Sequence, residues 1–170
     1  MKAMIRMTLH RLAPAAFLAA LTLTAAQPAS AAVVFELGPG LACQDFGLRL
    51  ESTGGKLHTK TFTDQDGNPV RILTAGKGTL LTYTNVNSGA SVTIRTDGSV
   101  SSTRTSPDGT QTVTATGHNG LVLFPSDVPA GPTTTQYIGR IVYTVSPPDG
   151  VFTLLSTSGS ARDICAELAG

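Results

Sequence analysis

Turn formers divide this chain into pieces too short to be much besides strands. Asp64-Gln65-Asp66-Gly67-Asn68-Pro69, Asn87-Ser88-Gly89, Asp97-Gly98 and Asp108-Gly109 stand one or two short elements apart, and Pro147-Pro148-Asp149-Gly150 follows after a longer stretch. Glycine, asparagine and aspartate adopt the positive φ of tight hairpin turns, so pieces joined this way should pair as antiparallel neighbours. Within the pieces apolar residues alternate with polar ones, the period-two pattern of a strand with one wet face. Phe46, Leu48 and Leu50, for example, stand against Arg49 and Glu51. Threonine and serine supply 34 of the 139 residues from position 32 onward. They take part in the alternation instead of forming a tract, so this threonine-rich composition reads as strand surface and not as a glycosylated stalk.

The expected strands cover residues 46–52, 56–63, 70–74, 79–84, 90–96, 100–105, 110–116, 121–124, 137–146 and 151–157, with a last helical turn around 161–168. They predict an all-β fold: an antiparallel β-sandwich of about eight to ten short strands, with a β-barrel as the alternative. Leu48, Leu50, Val70, Ile72, Leu80, Ile94, Val113, Leu121, Ile141, Tyr143 and Phe152 belong to the expected core. Residues 125–136 fit neither strand nor helix, because Pro125, Pro129, Gly131 and Pro132 interrupt both. Long ordered loops of this kind often carry function on a rigid scaffold.

Residues 1–31 read as a secretory signal peptide. Lys2, Arg6 and Arg11 precede a largely apolar run from Leu12 to Ala26, and Gln27-Pro28-Ala29-Ser30-Ala31 offers small residues for cleavage. The run is about 15 residues, short of the roughly 20 that a spanning helix needs, so no membrane anchor is expected. Residues 32–170 are then a single secreted, extracellular domain. Losing three basic residues changes the formal charge from +1 to −2, nine basic side chains against 11 acidic ones. Both signs are scattered along the chain with no basic run, so nothing points to nucleic acid.

Cys43 and Cys165 are the two cysteines, and in an oxidising compartment an even count argues for a bond. The pairing is forced. It would tie the domain end to end, close a loop of about 120 residues and restrict the unfolded chain by roughly 4 to 5 kcal/mol.

Few residues suggest chemistry. His118 lies in Thr116-Gly117-His118-Asn119-Gly120, where a glycine-flanked turn is expected, and His58 lies on a polar strand. No G-x-S-x-G elbow marks a nucleophilic serine. Asp64, Asp66 and Asn68 match the first three ligand positions of a calcium loop, but Pro69 stands where that loop needs its glycine and Ala75 where it needs a bidentate Glu. A hairpin turn without metal is the expectation there, and no cofactor is implied anywhere. Sugar binding by aromatic platforms would rest on Tyr83, Tyr137 and Tyr143, since tryptophan is absent. Threonine pairs at 59, 61 and 63, at 82 and 84, at 103 and 105, and at 112, 114 and 116 place hydroxyls about 6.5 to 7 Å apart along strand faces. Gathered on one flat face, they would suit adsorption to a polymer surface.

The Ala42-Cys43 start, residues 64–70, Pro107-Asp108-Gly109-Thr110, Gly117-His118-Asn119, the segment from Leu123 to Pro132 and Ile164-Cys165 together resemble a group of uncharacterised small secreted actinobacterial proteins of unassigned function. The resemblance implies export and one domain, and no active site. The functional expectation is therefore a non-enzymatic binding or surface-interaction module, monomeric, whose target is an extracellular protein or polymer. Its expected contact region comprises His118, Asp127, Pro129, Gly131 and Gln136. A small hydrolase or metal-dependent enzyme built on His118 and Asp127 is the alternative.

Overall fold

The computed structural model describes residues 32–170, so the expected signal peptide lies outside the described residues. Ten strands and one short helix follow in order: β1 (Val33–Leu37), β2 (Leu48–Thr53), β3 (Lys56–Thr63), β4 (Pro69–Lys77), β5 (Leu80–Asn85), β6 (Ser91–Arg95), β7 (Val100–Thr105), β8 (Gln111–Leu123), β9 (Thr133–Ser146), β10 (Val151–Asp163) and α1 (Ile164–Leu168). They form two antiparallel sheets. The small sheet runs β1-β2-β5-β6 and the large one β10-β9-β8-β7-β4-β3. The two sheets make a sandwich-like fold and no barrel closes, as the sequence pattern predicts. The turn formers act as expected: Asp64 Oδ1 accepts the N–H groups of Asp66 and Asn68, both at 2.9 Å, and closes the β3–β4 hairpin.

β8, β9 and β10 are more than twice as long as most of the other strands, and they bend. Val128 bridges Thr153 on the outer edge of β10, with Val128 N–H donating to Phe152 O at 2.8 Å and Leu154 N–H to Val128 O at 2.7 Å. Thr153 lies opposite Thr144 of β9. Straight strands would hold Thr144 about 36 Å from Thr133, whereas the five residues after Val128 reach at most roughly 17 Å. Even with the two inter-strand steps of about 5 Å each added, the sheet must bend between these points. A row of glycines marks the turn: Gly117 pairs with Gly139 and Gly139 with Gly159, at φ values of 88°, 142° and 97°. A Cβ at any of the three would collide with a backbone carbonyl, of Gly98, Ser158 and Ile138 respectively.

This bend corrects two sequence expectations. Gly117-His118-Asn119-Gly120 is not a turn but the middle of β8, because the glycines bend paired strands without unpairing them. The expected loop at 125–136 is shorter, since Thr133, Thr134, Thr135 and Gln136 already belong to β9. β1 falls outside the expected strands because Val33-Val34-Phe35 has no alternation to read. Val70 and Leu80 are not core residues; they are 41% and 38% exposed.

Past the bend β8 and β9 bury residues on both faces, while β10 stays largely exposed. Leu121 and Leu123 are buried on one face, while Thr134 and Gln136, on the other, are fully buried beneath the small sheet and the helix. The main cluster joins Ala42, Phe46, Leu48, Tyr83, Ile94, Ile164 and Leu168. Three buried hydrogen bonds fasten it: Tyr83 Oη–H donates to Gln136 Oε1 at 3.0 Å, Asn85 Nδ2 to Leu168 O at 2.9 Å, and Thr134 Oγ1 to Ala42 O at 2.9 Å. Beside them the Cys43–Cys165 disulfide forms as expected, with Cα atoms 5.5 Å apart across 122 residues of sequence.

Gly139→Ala should lower stability by about 2 to 4 kcal/mol in urea unfolding, because it adds a strained φ and a backbone collision at once. Burial pushes the Tyr83 phenol up to about 12 from its ordinary 10.0. The unfolded chain ionises this phenol first, so stability should hold up to pH 10 and fall between pH 10 and 12. Tyr83→Phe should flatten that fall, leaving a remainder from Tyr143, whose phenol burial also raises. At neutral pH the same change should cost about 1 to 3 kcal/mol through the orphaned Gln136 carbonyl. An undiminished alkaline slope would refute this assignment.

Candidate functional site

Where β5 begins and β6 ends, the small sheet stops short of the large one. Thr79 N–H donates to Thr96 Oγ1 at 2.9 Å and the Thr96 hydroxyl donates to Thr79 O at 3.0 Å, which closes that end. Between it and the inner face of β8 and β9 lies a cleft of about 350 Å³. Val113, Ala115, Ile141 and Tyr143 give it an apolar wall, Thr79, Thr96, Ser101 and Thr103 line it with hydroxyls, and His118, Asn119 and Gly120 enter it from beside the bend. No charged side chain lines it.

Two polar atoms on these lining residues have no partner. His118 Nδ1 and Asn119 Nδ2 are buried and unbonded. A buried polar atom left this way costs about 1 to 3 kcal/mol, and native folds tolerate few. The surrounding polar groups are already engaged: the Ser99 hydroxyl lies within hydrogen-bond distance of the carbonyls of Thr96 and His118. The orphans are thus not a sign of loose packing. Both residues line the cleft, which is large enough for a small molecule, while the two atoms themselves are buried.

The other expected contact residues do not join this cleft. Asp127 is 4% exposed, and both its oxygens are occupied by backbone: Oδ2 accepts Phe124 N–H at 2.6 Å and Oδ1 accepts Phe152 N–H at 2.8 Å. The carboxylate pins the 124–132 loop to β10. Gln136 is fully buried in its bond with Tyr83, and Gly131 packs over the Leu123 carbonyl, which leaves Pro129 exposed. His118 sits five residues before the end of β8, about 16 Å along the strand from where this loop starts. Sequence position brought these residues together; the pairing register separates them. Asn119 escaped sequence reading because nothing distinguishes an asparagine beside glycine from a turn residue.

The weaker candidates also find structural places. Asp64 spends Oδ1 on the N–H groups of Asp66 and Asn68 and Oδ2 on Asn68 Nδ2 at 3.3 Å, and the Asn68 N–H holds its carboxyl below the usual range. Among the described residues no group of three His, Cys, Asp or Glu is placed to hold a metal. Tyr83, at 1% exposure, presents no platform for a sugar. The threonines divide among faces: Thr82 bonds Thr93 on the small sheet, Thr59 bonds Thr74 on one face of the large sheet, and Thr112 and Thr114 lie on its other face. They form no single flat array.

Asp127→Ala should cost about 2 to 5 kcal/mol, from two N–H groups left unpartnered. Limited proteolysis should then cut within residues 124–132, where the native loop resists. Asp127→Asn, which keeps one acceptor, should lose about half as much, and equal losses in the two variants would contradict this account.

The chain matches no known family model, and comparison with curated proteins and with solved structures found none similar.

Proposed function

We propose that this is a secreted, non-enzymatic binding module whose ligand occupies the inter-sheet cleft beside His118 and Asn119. The resemblance to small secreted actinobacterial proteins belongs to the same reading. The observation that supports it most is that two residues lining a cleft of about 350 Å³, His118 and Asn119, each carry a buried polar atom without a partner, Nδ1 and Nδ2. That volume falls in the range of small-molecule sites, which combine apolar walls with a few convergent polar groups. The lining has no Asp, Glu, Lys or Arg, so a charged ligand would find no ion-pair partner among them. The fitting ligand is small and uncharged, with an apolar body against Ile141 and Tyr143 and an acceptor for Asn119 Nδ2.

The enzyme alternative finds little support in the geometry. A base needs a partner within reach, and Asp127, the carboxylate expected beside His118, is committed to Phe124 and Phe152. No other carboxylate lines the cleft.

A nuclear magnetic resonance screen of uncharged amides, esters and short oligosaccharides against residues 32–170 tests the proposal. Ligands should shift the side-chain signals of Asn119 and His118. Asn119→Leu should abolish these shifts while leaving stability unchanged or raising it by about 1 kcal/mol, since it removes a donor that has no partner. A loss of stability in Asn119→Leu, or ligands that perturb only residues outside the cleft, would overturn the proposal.

A further inference from the structure

The two faces of the large sheet differ in charge to a degree that the sequence hides. Phe62, Arg71, Arg104 and Thr112 form one cross-strand row over β3, β4, β7 and β8, and Lys60, Leu73, Ser102 and Thr114 form the next. Lys60 Nζ lies 4.9 Å and the Arg71 guanidinium 5.6 Å from the Phe62 ring centre. Arg71 Nε donates to Ser102 Oγ at 3.0 Å. Arg71, Ser102, Arg104, Thr112 and Thr114 together line a surface hollow of about 290 Å³. By alternation, Lys56 and Lys77, which pair with each other, and Arg140, which pairs with Thr116, belong to this same face.

Six of the nine basic residues after position 31 thus share one surface. The other three, Arg49, Arg95 and Arg162, each meet a carboxylate, of Glu51, Asp97 and Glu167. Meanwhile β3, β4, β7, β8 and β9 contain no acidic residue at all. The expectation of scattered charge is therefore overturned by the pairing register. In a domain of formal charge −2, an acid-free basic face is segregation and not surplus.

The face also carries a cost that packing does not explain. Arg71 and Arg104 stand directly opposite on neighbouring strands, an arrangement that destabilises a sheet when the charges are alike. Two guanidinium forks flanked by hydroxyls are suited to an oxyanion, which arginine holds bidentately. Lys60, Lys56 and Lys77 extend the positive charge along the sheet, which suits a ligand that repeats its anionic group.

We propose that this face binds an acidic polysaccharide through its carboxylate or sulfate groups, with Arg71 and Arg104 as the central contact. The hydroxyls of Ser102, Thr112 and Thr114 match the hydroxyl-rich backbone of such a polymer. Phe62, beneath Lys60 and Arg71, offers no free ring for base stacking.

The test measures binding of residues 32–170 to alginate, which carries carboxylates, and to heparin, which carries sulfates, with duplex DNA and phosphatidylglycerol vesicles as competing anions. Wild type should bind at least one of the two polysaccharides more tightly than DNA or vesicles at matched ionic strength, and binding should weaken as salt rises. R71Q/R104Q should weaken it by about tenfold or more while its melting temperature stays level or rises, because a like-charge pair is gone. Arg49→Gln, on the small sheet, and Asn119→Leu, in the cleft, should bind as wild type does. The proposal fails if R71Q/R104Q binds as wild type does, if Arg49→Gln weakens binding equally, if DNA or vesicles are preferred, or if neither polysaccharide binds. None of these outcomes bears on the cleft, whose ligand is uncharged.

Discussion

The three glycines at 117, 139 and 159 impose the constraint on which everything else rests. Long antiparallel strands gain a hydrogen bond for every added residue, but a flat ribbon of thirteen or fourteen residues has nothing to cover its faces. Bending the ribbon covers one face with itself, burying Leu121 and Leu123 with Val113, Ala115 and Ile141 on the same alternate positions. The opposite face past the bend then receives the small sheet and α1. A side chain at any glycine of the row would strike the neighbouring strand, so the bend is set by the absence of atoms at one line across the sheet.

Fastening then falls to polar groups placed in the core. Tyr83, Asn85 and Thr134 each use one hydrogen bond to join segments far apart in sequence, and each is worth about 1 kcal/mol when made and more than that when broken, since the partner would be left buried and alone. Such bonds specify a single register where apolar packing alone would allow several. Tyr83 does this against Gly120, where no side chain intervenes and its hydroxyl sits tight on the backbone. The disulfide acts on the other side of the equilibrium, by restricting the unfolded chain, and it closes near the Ala42 carbonyl that Thr134 already holds.

Local patterns in the sequence were readable because local physics decides them. β3 and β7 match their expected limits, each framed by turn residues and carried by alternation. The disulfide followed from the count of cysteines. What stayed hidden depends on pairing over distance. A glycine at 117 has the same letter whether it turns a chain or bends a sheet, and only its partners Gly139 and Gly159, 22 and 42 positions away, distinguish the two. Asp127 reads as a loop carboxylate, yet it serves Phe152 N–H, 25 residues on. Basic residues at 60, 71 and 104 form no run along the chain and become neighbours only through the register of β3, β4 and β7.

Where a fold satisfies its rules almost everywhere, the exceptions are informative. Among the described residues the buried side-chain oxygens and nitrogens are otherwise paired, yet His118 Nδ1 and Asn119 Nδ2 are not. Cations away from the basic face meet carboxylates, yet Arg71 stands opposite Arg104 in the strand register. The two exceptions lie on opposite faces of the large sheet, and they differ in kind. An orphaned donor in an uncharged cleft penalises the empty site and rewards a neutral ligand that fills it. Facing guanidinium groups penalise the bare surface and reward an anion. The two proposed sites therefore call for different ligands, because a ligand that relieves one penalty is chemically wrong for the other.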